Sequence, residues 1–242
     1  NRADVSGNDL LQFWQEDEST RVVLLYLESI GNPRKFARIA RRLSRTKPVV
    51  AVRSGRSTQA YPLGHVVHRT ELPPAAVDAL FAQAGVIETD SLSEMFDVAG
   101  VLDNQPLPSG DRVHVVSNSD ALAVLAGDAL SARGLATGLS STPLPVNCTP
   151  QECGDAVRSA LGLDDVDVVL VCYVPVVGRS QEEHQRVLAE LAGTSEKPLL
   201  AVLVAATDES GLIPSGIESR GLPFFGTVED AVRACAKVVG YT

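Results

Sequence analysis

The 242-residue chain is short of positive charge: 21 Lys and Arg stand against 30 Asp and Glu, a formal net charge of −9. That sign repels phosphate backbones and anionic headgroups, so neither a nucleic acid nor a membrane is expected as partner. Long apolar runs are missing as well. The runs Val22–Leu27, Val168–Val177 and Leu199–Ala206 reach only about half of the ~20 residues of a membrane-spanning helix. Cysteine is scarce: Cys148, Cys153, Cys172 and Cys235 form no disulfide framework, and C-x4-C is not a zinc-finger spacing. They read as reduced thiols of a cytoplasmic protein. The opening Asn1-Arg2-Ala3-Asp4 lacks the basic start and apolar core of a signal peptide. It also lacks a methionine, which reads as a fragment. No phosphate-cradling G-x-G-x-x-G or Walker sequence is present, and Ser117 and Ser119 build no G-x-S-x-G elbow.

What is present is an ordinary globular composition, 45% hydrophobic and 21% charged, arranged as apolar runs alternating with helix-period segments. Arg21–Leu27 reads as a strand buried on both faces, because its apolar residues do not alternate with polar ones. Asn32-Pro33 opens a helix over Arg34–Arg45, and Lys47–Arg53 is the next strand. A helix over Ala75–Ala84 ends at Gly85 as C-terminal cap, Val86-Ile87 is a short strand, and Ser91 with Glu94 makes a capping box for Leu92–Leu102.

Gln105-Pro-Leu-Pro-Ser-Gly110 then breaks the pattern. Charge changes there too: 12 basic and 13 acidic residues lie up to Pro108, 9 and 17 after it. We therefore place a linker here and expect domains at 1–108 and 109–242. Beyond it, Arg112–Ser117, Val166–Val174, Pro198–Ala205 and Leu222–Phe225 read as strands. Ala121–Arg133, Glu182–Ala192 and Val228–Val239 read as helices, the last capped by Thr227. Such alternation gives parallel sheets with right-handed crossovers. Working loops then lie at the strands' carboxyl ends: Ser54–Thr70, Asn118–Ala121 and Pro175–Gly178.

Several segments go further. Gly7-Asn-Asp-Leu-Leu11, Lys47-Pro-Val-Val50 before Ser54-Gly-Arg56, and Gln83-Ala-Gly-Val-Ile87 occur in order. Asp111-Arg-Val113 with Ser117-Asn118, Val166–Leu170 leading to Val174-Pro175, Lys197–Val202 and Gly221–Phe224 follow. Together they resemble the central part of NDP-forming (ADP-forming) acyl-CoA synthetases, kin to succinyl-CoA synthetase. The resemblance implies an α/β fold of two tandem flavodoxin-like units, the first lacking its initial strand and helix. It implies a CoA-binding domain and commonly an ATP-grasp domain elsewhere on the polypeptide. It also implies CoA or acyl-CoA and ATP or ADP for the full protein, and no cofactor in this fragment. Family members relay a phosphoryl group through a loop histidine, with phosphate seated on helix amino termini. The acyl group, the nucleotide and the oligomeric state, a homo-oligomer included, stay open.

The phosphate-handling places depart from that pattern. The family's loop reads roughly Ser-His-Thr-Gly-Ser; here Pro62–Thr70 contains His65 and His68, but Arg69 separates His68 from Thr70 and Glu71-Leu72 replaces the glycine and serine. Register from either side puts the expected histidine at Val66 or Val67, so His68 is the better phosphohistidine candidate, and a loop histidine without covalent role is the favoured reading. The family's glycine-rich phosphate turn becomes Ser117-Asn118-Ser119-Asp120-Ala121-Leu122-Ala123, with a carboxylate in the phosphate's place. Asp120 reads also as an N-cap. At Pro145–Cys148, Asn147 replaces a carboxylate. These losses resemble the degenerate synthetase-like region of actinobacterial protein lysine acetyltransferases with a GNAT domain, which implies a regulatory or scaffolding role. The alternative is an active ligase core using His68.

Three features remain. Arg34, Arg38, Arg41, Arg42 and Arg45 share one broad helix face; it could receive the acidic second unit or an anion such as CoA, with a solvated face favoured. His65 and His68 stand at i, i+3 without a carboxylate or thiol to complete a metal site. Trp14, the single tryptophan, reads as packing.

Overall fold

The computed structural model describes residues 6–54, 73–137, 141–176, 181–204 and 221–242. Their contacts gather into two units, Asn1–Ala99 with Tyr241, and Gly100–Gly240 with Thr242. The division falls inside a helix, nine residues before Pro108.

In the first unit the elements are α1 (Gly7–Glu16), β1 (Val23–Leu27), α2 (Pro33–Leu43), β2 (Val49–Arg53), α3 (Pro74–Ala84) and β3 (Val86–Thr89). After them α4 (Leu92–Asn104) runs past the division. The strands pair in the order β1-β2-β3, all parallel. The α2 helix starts where expected: Asn32 Oδ1 accepts from Lys35 N at 3.0 Å and Pro33 occupies the first turn. Its apolar stripe, Phe36, Ile39, Ala40 and Leu43, packs with Val49 and Ala51 of β2 and Val77 and Phe81 of α3. Trp14 is partly buried against this core. Lys47 Nζ donates to the carbonyls of Trp14 at 2.7 Å and Asp17 at 2.6 Å, tying the end of α1 to the start of β2. Gly85 closes α3 in the left-handed region, φ 68°, with Ser44 Oγ donating to Ala84 O at 2.6 Å beside it. A Cβ there would lie 2.7 Å from Ser44 Oγ, so glycine is required twice over.

Two expectations are corrected here. The β1 strand is not buried on both faces: Val23 and Leu25 are buried, Leu24 is half-buried and Tyr26 is 57% exposed. Its pairing with β2 leaves it at the edge of the described sheet, so an apolar run does not imply cover on both sides. At α4, Ser91 Oγ accepts from Glu94 N at 3.1 Å, but the Glu94 carboxylate reaches Asp90 N at 2.7 Å, one residue upstream of a reciprocal box.

The second unit contains β4 (Arg112–Ser117), α5 (Asp120–Ala132), β5 (Ala136–Thr137), β6 (Thr142–Pro143), α6 (Pro150–Leu161), β7 (Val168–Tyr173), α7 (Glu182–Ala192), β8 (Leu199–Leu203), β9 (Phe224–Phe225) and α8 (Val228–Val239). The order is β5-β4-β7-β8-β9, with β6 also on β4, and every pair is parallel. Both β7 and β8 are buried along their whole length. On one face α6 and α7 contribute Val157, Ala160, Leu188 and Ala192 to a core with Val169, Val171, Leu199 and Ala201. The α5 and α8 helices contact each other, β4 and β8. Within the first pair Gly154 permits close approach, because a Cβ there would meet Val187 Cγ1 at 2.6 Å. The proline-containing break belongs to this packing: Gln105 Oε1 accepts from Leu199 N at 2.8 Å and its amide donates to Gly221 O.

Just before β7, Asp167 draws in the segment that leads into β4. Its carboxylate accepts from Arg112 Nε and Nη2 at 2.8 Å each, from Arg112 N at 3.0 Å and from Ser109 Oγ at 2.9 Å. The Arg112 bonds foremost hold its carboxyl well below the usual carboxylate range, against the opposing effect of burial.

Candidate functional site

The carboxyl ends of β4 and β7 meet at Asn118, as the strand-end rule for parallel sheets predicts. Asn118 is 4% exposed. Its Oδ1 accepts from Val174 N at 2.8 Å, and its Nδ2 donates to Val174 O at 2.8 Å and to Val146 O at 3.2 Å. One side chain thereby joins two strand ends and the Pro145–Cys148 turn, which closes through Cys148 N to Pro145 O at 3.0 Å. Ser117 Oγ lies 2.9 Å from both Cys172 O and Ser119 O and accepts from Ser119 N at 3.1 Å.

The cap of α5 is Ser119, whose hydroxyl accepts from Leu122 N, so Asp120 is the first helical residue; this corrects the expectation of Asp120 as N-cap. The difference matters chemically. Ser119 occupies Leu122 N, which leaves the first-turn amides of Asp120 and Ala121, without intrahelical acceptors, as the groups an anion could use. The carboxylate of Asp120 stands at the same turn, exposed to solvent. Two negative charges about 5 Å apart repel by roughly 3 kcal/mol at an effective dielectric of 20. A helix amino terminus returns only about 0.3–1 kcal/mol.

Sequence reasoning did not single out His184, in the first turn of α7. It is 4% exposed, stacked on Tyr173 with ring centroids 4.5 Å apart, and its Nε2 lies 3.1 Å from Cys148 O. A carbonyl only accepts, so Nε2 carries the proton. The turn that holds Asn118 is thus also fastened to α7. The signal for it was weak, because a lone histidine opening a helix forms no motif. Cys148 is adjacent, but burial foremost, then Glu152, pushes its thiol upward. Burial likewise pushes Cys153, Cys172 and Cys235 up to about 12. All four are free cysteines, and no thiolate nucleophile is on offer.

In the first unit a cleft of about 300 Å³ opens where β1 ends, between the starts of α1 and α2. Beside it the start of α1 is closed by its own capping bonds and by Lys35. The Asp9 carboxylate accepts from Ser6 N at 3.0 Å, Ser6 Oγ at 2.6 Å and Lys35 Nζ at 3.1 Å. Hydrogen bonds from Ser6 foremost lower its pKa to about 2.

Of the residues read from sequence, Asn118, Ser119, Asp120 and Ala121 form one turn as expected. His68, with His65 and the loop from Gly55 to Thr70, lies outside the described residues, as do Val177 and Gly178. Asn147 is exposed on its turn. Among the described residues no group of three metal-ligating side chains occurs, and no helix is long and apolar enough to cross a membrane.

The architecture is an α/β fold with parallel sheets of the flavodoxin-like type found in succinyl-CoA synthetase. Residues 1–102 match the succinyl-CoA ligase like flavodoxin domain. The chain is homologous to the alpha subunit of an ADP-forming acetate–CoA ligase of Pyrococcus furiosus, 28% identical over 97% of this chain and 55% of that protein. A 4-hydroxybutyrate–CoA ligase (ADP-forming) of Nitrosopumilus maritimus is 24% identical over 100% of the chain and 38% of that protein. The fold recurs in dinucleotide forming acetyl-coenzyme A synthetase 1 of Ca. Korarchaeum cryptofilum, solved in complex with phosphate and ADP. There the TM-score is 0.83 at 23% identity, over 99% of this chain and 57% of the other. The chain therefore spans about half the length, or less, of these relatives.

Proposed function

We propose that this chain is the central domain pair, divided near Pro108, of an acetate–CoA ligase type homologue that has lost its phosphoryl relay. In this reading it regulates or scaffolds a larger cytoplasmic acetyltransferase carrying a GNAT domain. A CoA-binding domain and an ATP-grasp domain on the same polypeptide would handle CoA or acyl-CoA and ATP or ADP. The observation that carries the reading is the Asn118–Ala121 turn. It has no glycine to let a phosphate approach, its cap hydroxyl is spent on Leu122 N, and Asp120 sets a negative charge at the helix start.

A second reading keeps the chain active, relaying phosphate through His68. It is favoured by the ligase names of the relatives, one of which aligns with 97% of the chain. Acetyl-CoA with labelled phosphate, added to the chain, and labelled ATP, added to its parent polypeptide, distinguish the two. The first reading expects no acid-labile phosphoprotein. Label that vanishes in His68→Asn would overturn it and establish the second.

A further inference from the structure

The arginine face of α2 borders a cleft of about 530 Å³, lined by Ala37, Arg38, Arg41 and Arg42 of the helix, by Arg45 in the turn after it, and by Gln83 and Ala84 of α3 on the other side. The four arginines are exposed, and none forms an ion pair with a described residue. Their spacing places like charges at i+3 and i+4, which opposes helix formation, and α2 contains no Asp or Glu to offset it. The negative carboxyl end of the helix accounts for Arg41 and Arg42 in its last turn, but not for Arg38 a turn earlier. Nor is this general basicity, since residues 1–99 contain 12 basic and 12 acidic side chains. A sequence that concentrates charge against its own helix is locally inconsistent, and such places mark function.

We infer that this cleft binds a small ligand carrying adjacent phosphate groups, a diphosphate either free or at the end of a nucleotide-type molecule. From Arg38 to Arg42 the helix advances about 6 Å and Arg45 follows in the turn beyond it, enough to set guanidinium forks along two phosphates. The volume falls within the roughly 300–1,000 Å³ of small-molecule sites, and Gln83 adds an amide at the rim. A concave wall completed by α3 suits a compact anion better than an extended acidic peptide. The site lies on a different unit from the Asn118 turn and is independent of whether a phosphoryl relay survives.

Calorimetric titration of the 242-residue chain with inorganic pyrophosphate at low ionic strength is the test. Binding is expected, weakening as added salt screens the charges. Arg41→Gln with Arg45→Gln should lower affinity at least about tenfold, while Arg34→Gln on the same helix leaves it unchanged. Arg38→Gln, a milder change, should shift affinity in the same direction should the double variant fold poorly. Competition by ADP or by CoA supports the proposal and identifies the carrier; pyrophosphate binding without either supports a free diphosphate. Absence of pyrophosphate binding, binding that survives loss of the arginines, or binding of polyglutamate alone overturns it.

Discussion

The β1 strand, Val-Leu-Leu-Tyr-Leu, and the β7 strand, Val-Val-Leu-Val-Cys-Tyr, look interchangeable, yet every residue of β7 is buried while Tyr26 of β1 stands in solvent. The difference lies in the neighbours. Strand β7 runs between β4 and β8, with α6 and α7 against one face of that sheet; among the described residues β1 pairs with β2 alone. Apolar content limits what a strand can bury, and topology decides what it does bury.

The contrast breaks most directly on core truncation. Leu170→Ala should cost about 4 kcal/mol and Leu24→Ala about 1, read from denaturant midpoints at constant m-value. Equal costs would mean that β1 is as deeply covered as β7. Next comes Asp167→Asn, expected to cost about 3 kcal/mol because it strands Arg112 and two further donors at a carboxylate that is 3% exposed. Its folded-state pKa lies below the unfolded value of about 3.9. The stabilisation is therefore complete above that value and disappears as pH falls towards the folded one. The wild type should lose stability through this window more steeply than the variant. Asp9, whose pairing with Lys35 is exposed, should give no comparable step in melting temperature on Asp9→Asn.

Asn118→Ala removes three hydrogen bonds and should cost about 2 kcal/mol, with faster hydrogen exchange at the Val174 amide as the local signature. Unchanged exchange there would show that the strand ends hold without the side chain. The two units should behave alike at their helix caps. Thr149→Ala at α6 and Asn32→Ala at α2 should each cost about 1 kcal/mol by thermal melting.

Much of the fold was legible because local rules agree with the packing. The α2, α3, α7 and α8 helices were found from apolar period and caps, and the end of α3 from one glycine. The α6 helix was legible and went unread: Thr149-Pro150-Gln151-Glu152 is a capping box with proline at the first turn, and Glu152 Oε2 indeed accepts from Thr149 N at 2.7 Å. The α1 helix was missed behind a subtler start, Ser6 with Asp9 where a box prefers glutamate. The exposure of Tyr26 on β1 was unreadable, since no residue of the run reports whether a neighbour covers it. At the site, the turn was visible but the role of Asn118 was not. Its partner Val174 is 56 positions away, and His184 reaches Cys148 across 36, distances that no local pattern encodes.

The pairing register also constrains how the chain assembles. Joining β4 to β7 aligns Val113 with Val168, a separation of 55 residues, whereas β7 joins β8 at Val169 and Leu199, only 30 apart. Closing the longer loop costs about 0.5 kcal/mol more chain entropy. The β7–β8 pair should therefore form first and β4 dock onto it. Pulse-labelled exchange during refolding should show Val169 and Val171 protected before His114 and Val116, whose amides face β7. The Asn118 bonds need both strand ends in place, so this turn would be among the last parts of its unit to acquire shape.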